Sequence, residues 1–480
     1  MVRDLFLGRE SKDYDFVIRG VPAKKLETIL KKLGDTNLVG KRFGVFKFAP
    51  KNSTLTLDIA LPRTEEAWGT GGYRDVETQS DWRLPIETDL ARRDFTINAI
   101  ALELGIRNKE LGIENLIDPF DGLSDLKKKL IKTVGWPEER FKEDYSRMLR
   151  GLRFACQLNF DIETKTRTTI KRLIKQINSL DKQKERIVPY EVISKEFLKS
   201  LVVNPLKTVD LWDEAGALKQ LMPELLKMQG CPQPPEFHKE GDVWTHTYLA
   251  LGNLFAPHFK KFIRSLPPSF QNGPPISPTL ILAVLFHDLG KPYTIKTPEK
   301  DGVDRIRTNE HDSVGAKLAK QIGERLRLSS VPDLHCNLDH LAWLIQHHLL
   351  TVHGDPMNFT NRTIEKYFFN PLVPGNDLLK LIYCDQMASF VKGKPQLGSL
   401  PRLVKRIKML LACLPARQGG RRQTKHLPPP LLDGREIMTV LKLKPGRLIG
   451  DLKDRLREAQ LAGKVKNKKQ AKDFLIKTHP

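Results

Sequence analysis

The sequence predicts an α+β protein, with an N-terminal α/β head built on a small sheet and mainly α-helical domains after it. Three observations carry this expectation. Short runs with two-residue alternation are interleaved with helical spacing up to about residue 135, only helical spacing persists from about Glu138, and 480 residues are too many for one ordinary core. Four segments follow: a head (1–135), a helical neck (136–230), a second helical block (231–415), and a basic linker with a C-terminal segment (416–480).

The elements follow in order. Asp13 to Ile18 and Thr54 to Leu61 read as strands, and Ala23 to Leu33 has helical spacing. The neck reads as four helices: Tyr145 to Leu158, Thr164 to Leu180, Tyr190 to Leu201 and Asn204 to Leu221. Proline punctuation from Cys231 to Pro235 closes it, and a second helical run extends from about Thr245 to Phe390. Ala416 to Pro430, ARQGGRRQTKHLPPP, reads as a basic linker or exposed loop, and a lysine-rich helical segment reaches Pro480.

Composition narrows the function classes. A net charge of +23, spread along the chain, attracts polyanions, so nucleic acid is the expected partner; solubility alone is the other reading of that charge. No apolar run is long enough to span a bilayer, the N-terminus has no apolar signal core, and five scattered cysteines form no framework. The expectation is a cytoplasmic protein with no membrane partner, and no protein partner can be inferred.

KDYDFV places Asp13 and Asp15 on one face of a strand, with Phe16 and Ile18 on the other. In TLTLDIAL, Leu55, Leu57 and Ile59 point one way and Asp58 the other. Three carboxylates on neighbouring strands suit two divalent cations, which activate a hydroxyl and neutralise a triphosphate during in-line displacement. Taken alone, Asp-x-Asp is more often a turn or surface feature.

Its context is ordered. VRDLFLGR lies upstream, and DLARRDFTINAIA, DPFDGLSDLK and FKEDYSRMLRGLRFA follow downstream. At these residues the chain resembles the class II tRNA nucleotidyltransferase (CCA-adding enzyme) and bacterial poly(A) polymerase family. The resemblance implies template-independent addition to an RNA 3′ end, with the tRNA 3′ end as acceptor and CTP and ATP as donors. Asp13 and Asp15 would hold Mg²⁺, with Asp58 the third catalytic carboxylate. Arg3 would touch the triphosphate, and Arg92 and Arg93 the ribose and phosphates. Asp144 and Arg147 would read the base edge, with Arg150 and Arg153 continuing their face towards phosphate. Read as one helix, Asp144 and Arg147 stand three apart and share that face. A carboxylate accepts from the amine of cytosine or adenine while guanidinium donates to the ring nitrogen. The other reading of this face is a solvated basic helix.

Family members carry two glycines on a tight turn before VRD, which this sequence lacks. The expectation is a shortened version of a longer protein, with a crippled nucleotide site as the alternative. Leu38 to Phe43, LVGKRF, resembles a pattern of bacterial poly(A) polymerases, whereas DIALPRTEE resembles CCA-adding members. Ala67 to Pro85 is glycine-rich and polar, and reads as a mobile loop of the kind that CC-only relatives lack. CCA addition is the first reading; poly(A) or A-only addition is the alternative.

His246, His287-Asp288, His311, His347-His348 and Asp385 punctuate the second helical block. Imidazole and carboxylate together suit a divalent metal. The order resembles HD-superfamily phosphohydrolases, and PEFHKEGDVWTHT the version fused to nucleotidyltransferases. That resemblance implies His246, His287, Asp288 and Asp385 as ligands of an ion whose identity stays open. His311 and one of His347 or His348 would serve a second metal or phosphate, and His238 is read as structural. The implied activity is phosphohydrolase repair of RNA ends; a phosphohydrolase whose head only binds RNA is the second alternative. Leu431 to Phe474 resembles the terminal module of longer bacterial members, where Lys464, Lys466, Lys468, Lys469 and Lys472 would meet tRNA phosphates.

Overall fold

A computed structural model describes residues 1–480 except 12–13, 40–44, 73–74, 105–114, 272–275, 353, 392, 396, 414–426 and 480. Asp13, part of LVGKRF and most of the 416–430 linker therefore lie outside the described residues. The chain forms two compact units, Met1–Met222 and Pro223–Pro480.

In the first unit a short helix, α1 (Val2–Phe6), precedes strand β1 (Asp15–Val17) and helix α2 (Ala23–Leu33). Strands β2 (Gly34–Val39), β3 (Val45–Pro50) and β4 (Leu57–Ala60) complete a four-stranded sheet of order β1-β4-β3-β2, in which β1 and β4 run parallel. The alternation has the expected result. Leu26 and Leu30 of α2 pack with Phe46, Phe48, Ile59 and Leu61, and Phe16, Ile18 and Leu57 join the same cluster. Asp15 and Asp58, one residue out of phase, are left on the opposite face.

Part of the stretch read as a mobile loop is a hairpin. β5 (Arg63–Ala67) pairs antiparallel with β6 (Val76–Ser80), Glu65 opposite Thr78, because the threonines and Val76 suit an extended ladder. The chain then enters α3 (Ile86–Ala91). Val17, two residues beyond Asp15 on the same strand face, packs on the cluster of Ile86, Leu90, Ala99 and Val134, while Asp15 itself stays exposed.

The neck is helical, with two revisions. The Thr164 helix ends at Leu173 and tightens into a 3-10 segment, Ile174–Asn178. The Asn204 to Leu221 helix is broken into Pro205–Glu214 and Ala217–Leu221 at Gly216, whose φ of +80° is costly for any other residue. Helix Ser146–Leu158 buries Met148, Leu149, Leu152 and Ala155, and beside it Phe197 meets Trp212 edge to face at 5.0 Å.

The second unit is organised round Pro278–Phe286, a helix apolar on every side and buried on every side. Ser277 caps it, its Oγ accepting from Leu280 N–H at 3.0 Å. Helices Val243–Asn253, Leu338–His347 and Gly375–Ala388 pack against it. The C-terminal helices Gly434–Leu441, Arg447–Leu461 and Lys468–Thr478 share a small core of Leu432, Ile437, Leu452, Leu456 and Leu475. Within this unit that module is held by Arg457 on Glu365, and by Glu458, which accepts from the N–H groups of Asn361 and Arg362 at 3.0 Å each. Among the described residues no helix is long and apolar enough to cross a membrane.

Buried charge is paired in both units. Asp94, 7% exposed, accepts from Arg150 at 2.6 and 2.8 Å, from Asn98 at 3.1 Å and from Phe95 N–H at 2.8 Å. Burial pushes its carboxyl upward, but Arg150 and these hydrogen bonds outweigh it and leave the pKa at about 2. A folded-state value below the ordinary 3.8 means stabilisation that is complete above about pH 4 and lost as pH falls toward 2. Asp94→Asn is therefore expected to lower stability by about 2 kcal/mol at pH 7. In urea titrations followed by tryptophan fluorescence, the gap from the unsubstituted chain should close as pH approaches 2.

Candidate functional site

The parallel register sets Asp15 directly beside Asp58 on adjacent strands, with Asp15 exposed and Asp58 half-buried. Two like-charged groups so placed repel each other unless a cation lies between them, so the donor set fits divalent metal. Asp13 would add a third carboxylate but lies outside the described residues.

The arginines fall into two groups. Arg92 donates to Glu65 at 2.6 Å and to Asp89 at 2.8 and 3.0 Å, and Arg93 donates to Asp89 at 3.2 Å. Asp89 is 1% exposed, so both guanidinium groups are anchored at the end of α3 while Arg93 keeps a third of its side chain open. The backbone carbonyl of Arg92 accepts from Arg147, which is further held by Glu143 and by the carbonyl of Arg140. The second group surrounds Phe154: Arg3, Arg150 and Arg153 lie over its ring at 5.2, 5.6 and 3.9 Å. Arg3 donates to Asn98, which donates to Asp94, the partner of Arg150. Arg153 is buried and committed to Glu196 and Gln157. Among the described residues no hydrogen bond or ion pair joins Asp15 or Asp58 to these arginines.

Asp144 and Arg147 do not share a helix. Helix Pro137–Glu143 ends at Asp144, which is extended (φ −155°, ψ 106°), and a new helix begins at Ser146. Asp144 stands at that junction because its Oδ1 accepts from Ser146 N–H at 2.8 Å, satisfying an orphan donor of the new helix. Burial pushes its carboxyl above the usual range, with Ser146 and Arg147 opposing. The two residues remain neighbours across the junction. The β5–β6 hairpin arrives at the same place, where Tyr145 N–H donates to the carbonyl of Gly71 at 2.9 Å.

In the second unit four histidines converge on Asp288, which is 1% exposed. His287 Nε2 lies 3.3 Å and His246 Nε2 3.8 Å from Asp288 Oδ2, while His311 and His348 approach Oδ1 at 3.4 and 3.8 Å. Asp385 closes the group, its Oδ1 lying 3.0 Å from His246 and 3.8 Å from His287. The outer nitrogens explain the convergence. Nδ1 of His287, His311 and His348 meets the backbone carbonyls of Val284, Thr308 and Ile345 at 2.8, 2.6 and 2.6 Å. A carbonyl only accepts, so each Nδ1 carries the proton and each Nε2 offers a lone pair inward. His287 Nε2 and His311 Nε2 are buried without a hydrogen-bond partner, the arrangement that a bound cation satisfies.

The surroundings sharpen the picture. Burial lowers His348 to about 4, keeping it neutral as a ligand must be. His246 is opposed by burial yet raised to about 9 by Asp385 and Glu240. Gly290, just after the His-Asp pair, lies where a Cβ would overlap the His311 carbonyl oxygen and the Gly315 nitrogen, so only glycine lets the two segments meet. His347, left open with His348 by the sequence, points elsewhere: it meets Trp343 at 4.7 Å and Tyr367 at 5.1 Å. Two residues were missed. Lys291 is buried with its Nζ 2.7 Å from Asp288, signalled only by standing three residues after it on a helical turn. Glu240 bonds both His238 and His246 and lay unassigned inside the quoted PEFHKEGDVWTHT.

Comparison with known proteins finds a family match in each unit. The Poly A polymerase head domain family matches residues 1–132 and the HD domain family residues 271–379. The A-adding tRNA nucleotidyltransferase of Deinococcus radiodurans is 30% identical over 88% of this chain and 87% of its own. The multifunctional CCA protein of Methylobacillus flagellatus is 33% identical over 73% of this chain and 72% of its own. The fold is similar to that of the Bacillus stearothermophilus CCA-adding enzyme solved with CTP, with a TM-score of 0.57 at 19% identity, covering 99% of this chain and 91% of that one. The chain belongs to the tRNA nucleotidyltransferase and poly(A) polymerase family, a nucleotidyltransferase that carries an HD domain C-terminal to its head.

Proposed function

We propose that this chain adds CCA to the 3′ end of tRNA from CTP and ATP, without a nucleic-acid template and with release of pyrophosphate. The observation that carries the reading is the Asp15–Asp58 register pair on a head of this family. Asp13, Asp15 and Asp58 would hold Mg²⁺, which when bound lowers the pKa of the RNA 3′-hydroxyl and neutralises the triphosphate. The hydroxyl oxygen bonds to the α-phosphorus as the bond to the β-phosphate oxygen breaks, and pyrophosphate leaves. Arg92 and Arg93, anchored on Asp89, take the ribose and phosphates; Arg3 and Arg150 supply positive charge beside Phe154. Asp144 accepts from the exocyclic amine of cytosine or adenine, and Arg147, fixed by three acceptors, donates to the ring nitrogen. The exposed Lys464, Lys466, Lys468, Lys469 and Lys472 would contact tRNA phosphates. Head, neck, HD domain and tail divide at about 135, 230 and 415, and the protein works in the cytoplasm.

A second reading, addition of the terminal A alone, is favoured by one observation: the Deinococcus relative that is named for that activity matches nearly nine tenths of this chain. The HD domain, with His246, His287, Asp288 and Asp385 as ligands and His311 and His348 on the other carboxylate oxygen, would remove phosphate from RNA ends. A divalent ion held there supplies Lewis acidity to the phosphoester.

A tRNA lacking CCA, incubated with Mg²⁺ and each triphosphate singly and together, should gain C, C and A and then stop. A single A on a CC-ended tRNA alone establishes the second reading, and a ladder of A makes the chain a poly(A) polymerase. Asp58→Asn should reduce addition by roughly a thousandfold or more. Arg147→Ala should let U and G be incorporated while tRNA binding, read by gel shift, changes less than about threefold; unchanged base choice would refute the base-reading role. His287→Ala should abolish release of phosphate from a 2′,3′-cyclic end and leave addition intact.

A further inference from the structure

His246 differs from the other three histidines of the HD domain in how its outer nitrogen is held. Those three are anchored by a carbonyl three residues earlier in their own turn. His246 sits inside the helix Val243–Asn253, and its Nδ1 meets Oε1 of Glu240 at 2.8 Å. The carboxylate of Glu240 is 2% exposed. The same Oε1 meets His238 Nδ1 at 2.7 Å, and Oε2 accepts from Phe390 N–H at 2.8 Å. The carbonyl of Phe390 in turn accepts from Lys239 N–H at 3.1 Å. Phe390 follows the end of the helix Gly375–Ala388, which carries Asp385, and that helix is closed by Ser389 N–H on the Asp385 carbonyl at 3.2 Å.

We propose that Glu240 is the positioning residue of the HD metal site, holding His246 and the Asp385 helix end in one register so that both can reach the same ion. The inference rests on the reading of the histidine cluster as a metal site. Its physical basis is that a carboxylate on the outer nitrogen fixes the tautomer and orientation of an imidazole and strengthens it as a ligand. His246 and Asp385 are 139 residues apart in sequence, and Glu240 bonds the first directly and the segment after the second through Phe390. His238, edge-on to His246 at 5.0 Å, completes the far side of the carboxylate. Glutamine in place of Glu240 retains the shape but loses the charge, and its single carbonyl oxygen cannot replace both carboxylate oxygens.

The test titrates the metal-free full chain with Co²⁺, following visible absorption for geometry and calorimetry for affinity, with nucleotide addition and thermal unfolding measured on the same samples. Glu240→Gln should bind Co²⁺ about 10- to 100-fold more weakly with an altered spectrum, while addition stays within about twofold. Glu240→Asp keeps the charge one methylene short and should fall between the two; it decides the matter if the glutamine variant does not fold. A folded variant with the affinity and spectrum of the unsubstituted chain overturns the positioning role and leaves the metal site standing. No Co²⁺ binding by the unsubstituted chain overturns the metal reading and the role of Glu240 with it.

Discussion

Asp288 sits at 1% exposure, and a carboxylate at that depth stays charged only if other groups replace the water it has lost. Lys291 does so with its Nζ 2.7 Å away, while His246, His287, His311 and His348 gather round the same carboxylate from other places in the second unit. Burial pushes Asp288 upward, but His287 and Lys291 beside it hold it well below the usual carboxylate range. The helix Pro278–Phe286 makes this geometry by being apolar all round: it can lie nowhere except in the core, and it delivers His287-Asp288 there at its C-terminal end. The lone pairs and the charge thus meet out of water, a donor set that suits a divalent cation.

The head solves the opposite problem. Asp15 is exposed and Asp58 half-buried, and the strand period, not burial, aligns them. Phe16 of β1 and Leu57 and Ile59 of β4 take the face covered by α2, and Asp15 and Asp58 are left on the other. Buried acids serve there as anchors for arginine. Asp89 holds Arg92 and Arg93, and Asp94 holds Arg150, so these guanidinium groups are fixed in orientation by the fold itself. A similar economy of contacts joins the hairpin to the helix junction at Asp144, where the Gly71 carbonyl accepts from Tyr145 N–H between Asp144 and Arg147.

Charge is also what holds the C-terminal module. Its own core is small, and its attachment within the second unit is largely polar, through Arg457 on Glu365, Glu458 on the N-terminal turn at Asn361, and Arg362 on Asp454. Polar attachment goes with an exposed lysine surface on that module, Lys464, Lys466, Lys469 and Lys472, since the apolar side chains are consumed in its own interior.

The sequence by itself determined what depends on local backbone period and on residue order. The faces of β1 and β4, the helices Ala23–Leu33 and Tyr190–Leu201, the change from mixed to helical structure and the family could all be read from it. The tertiary structure alone decided partnerships between distant residues. It set Asp15 beside Asp58, chose His348 over His347, broke the helix between Asp144 and Arg147, tied Arg153 into a buried pair and recruited Glu240 and Lys291. The physical reason is one of range. Periodicity is a property of consecutive φ and ψ angles, whereas the partner of a buried charge is fixed by whichever desolvated group the fold brings within hydrogen-bonding distance.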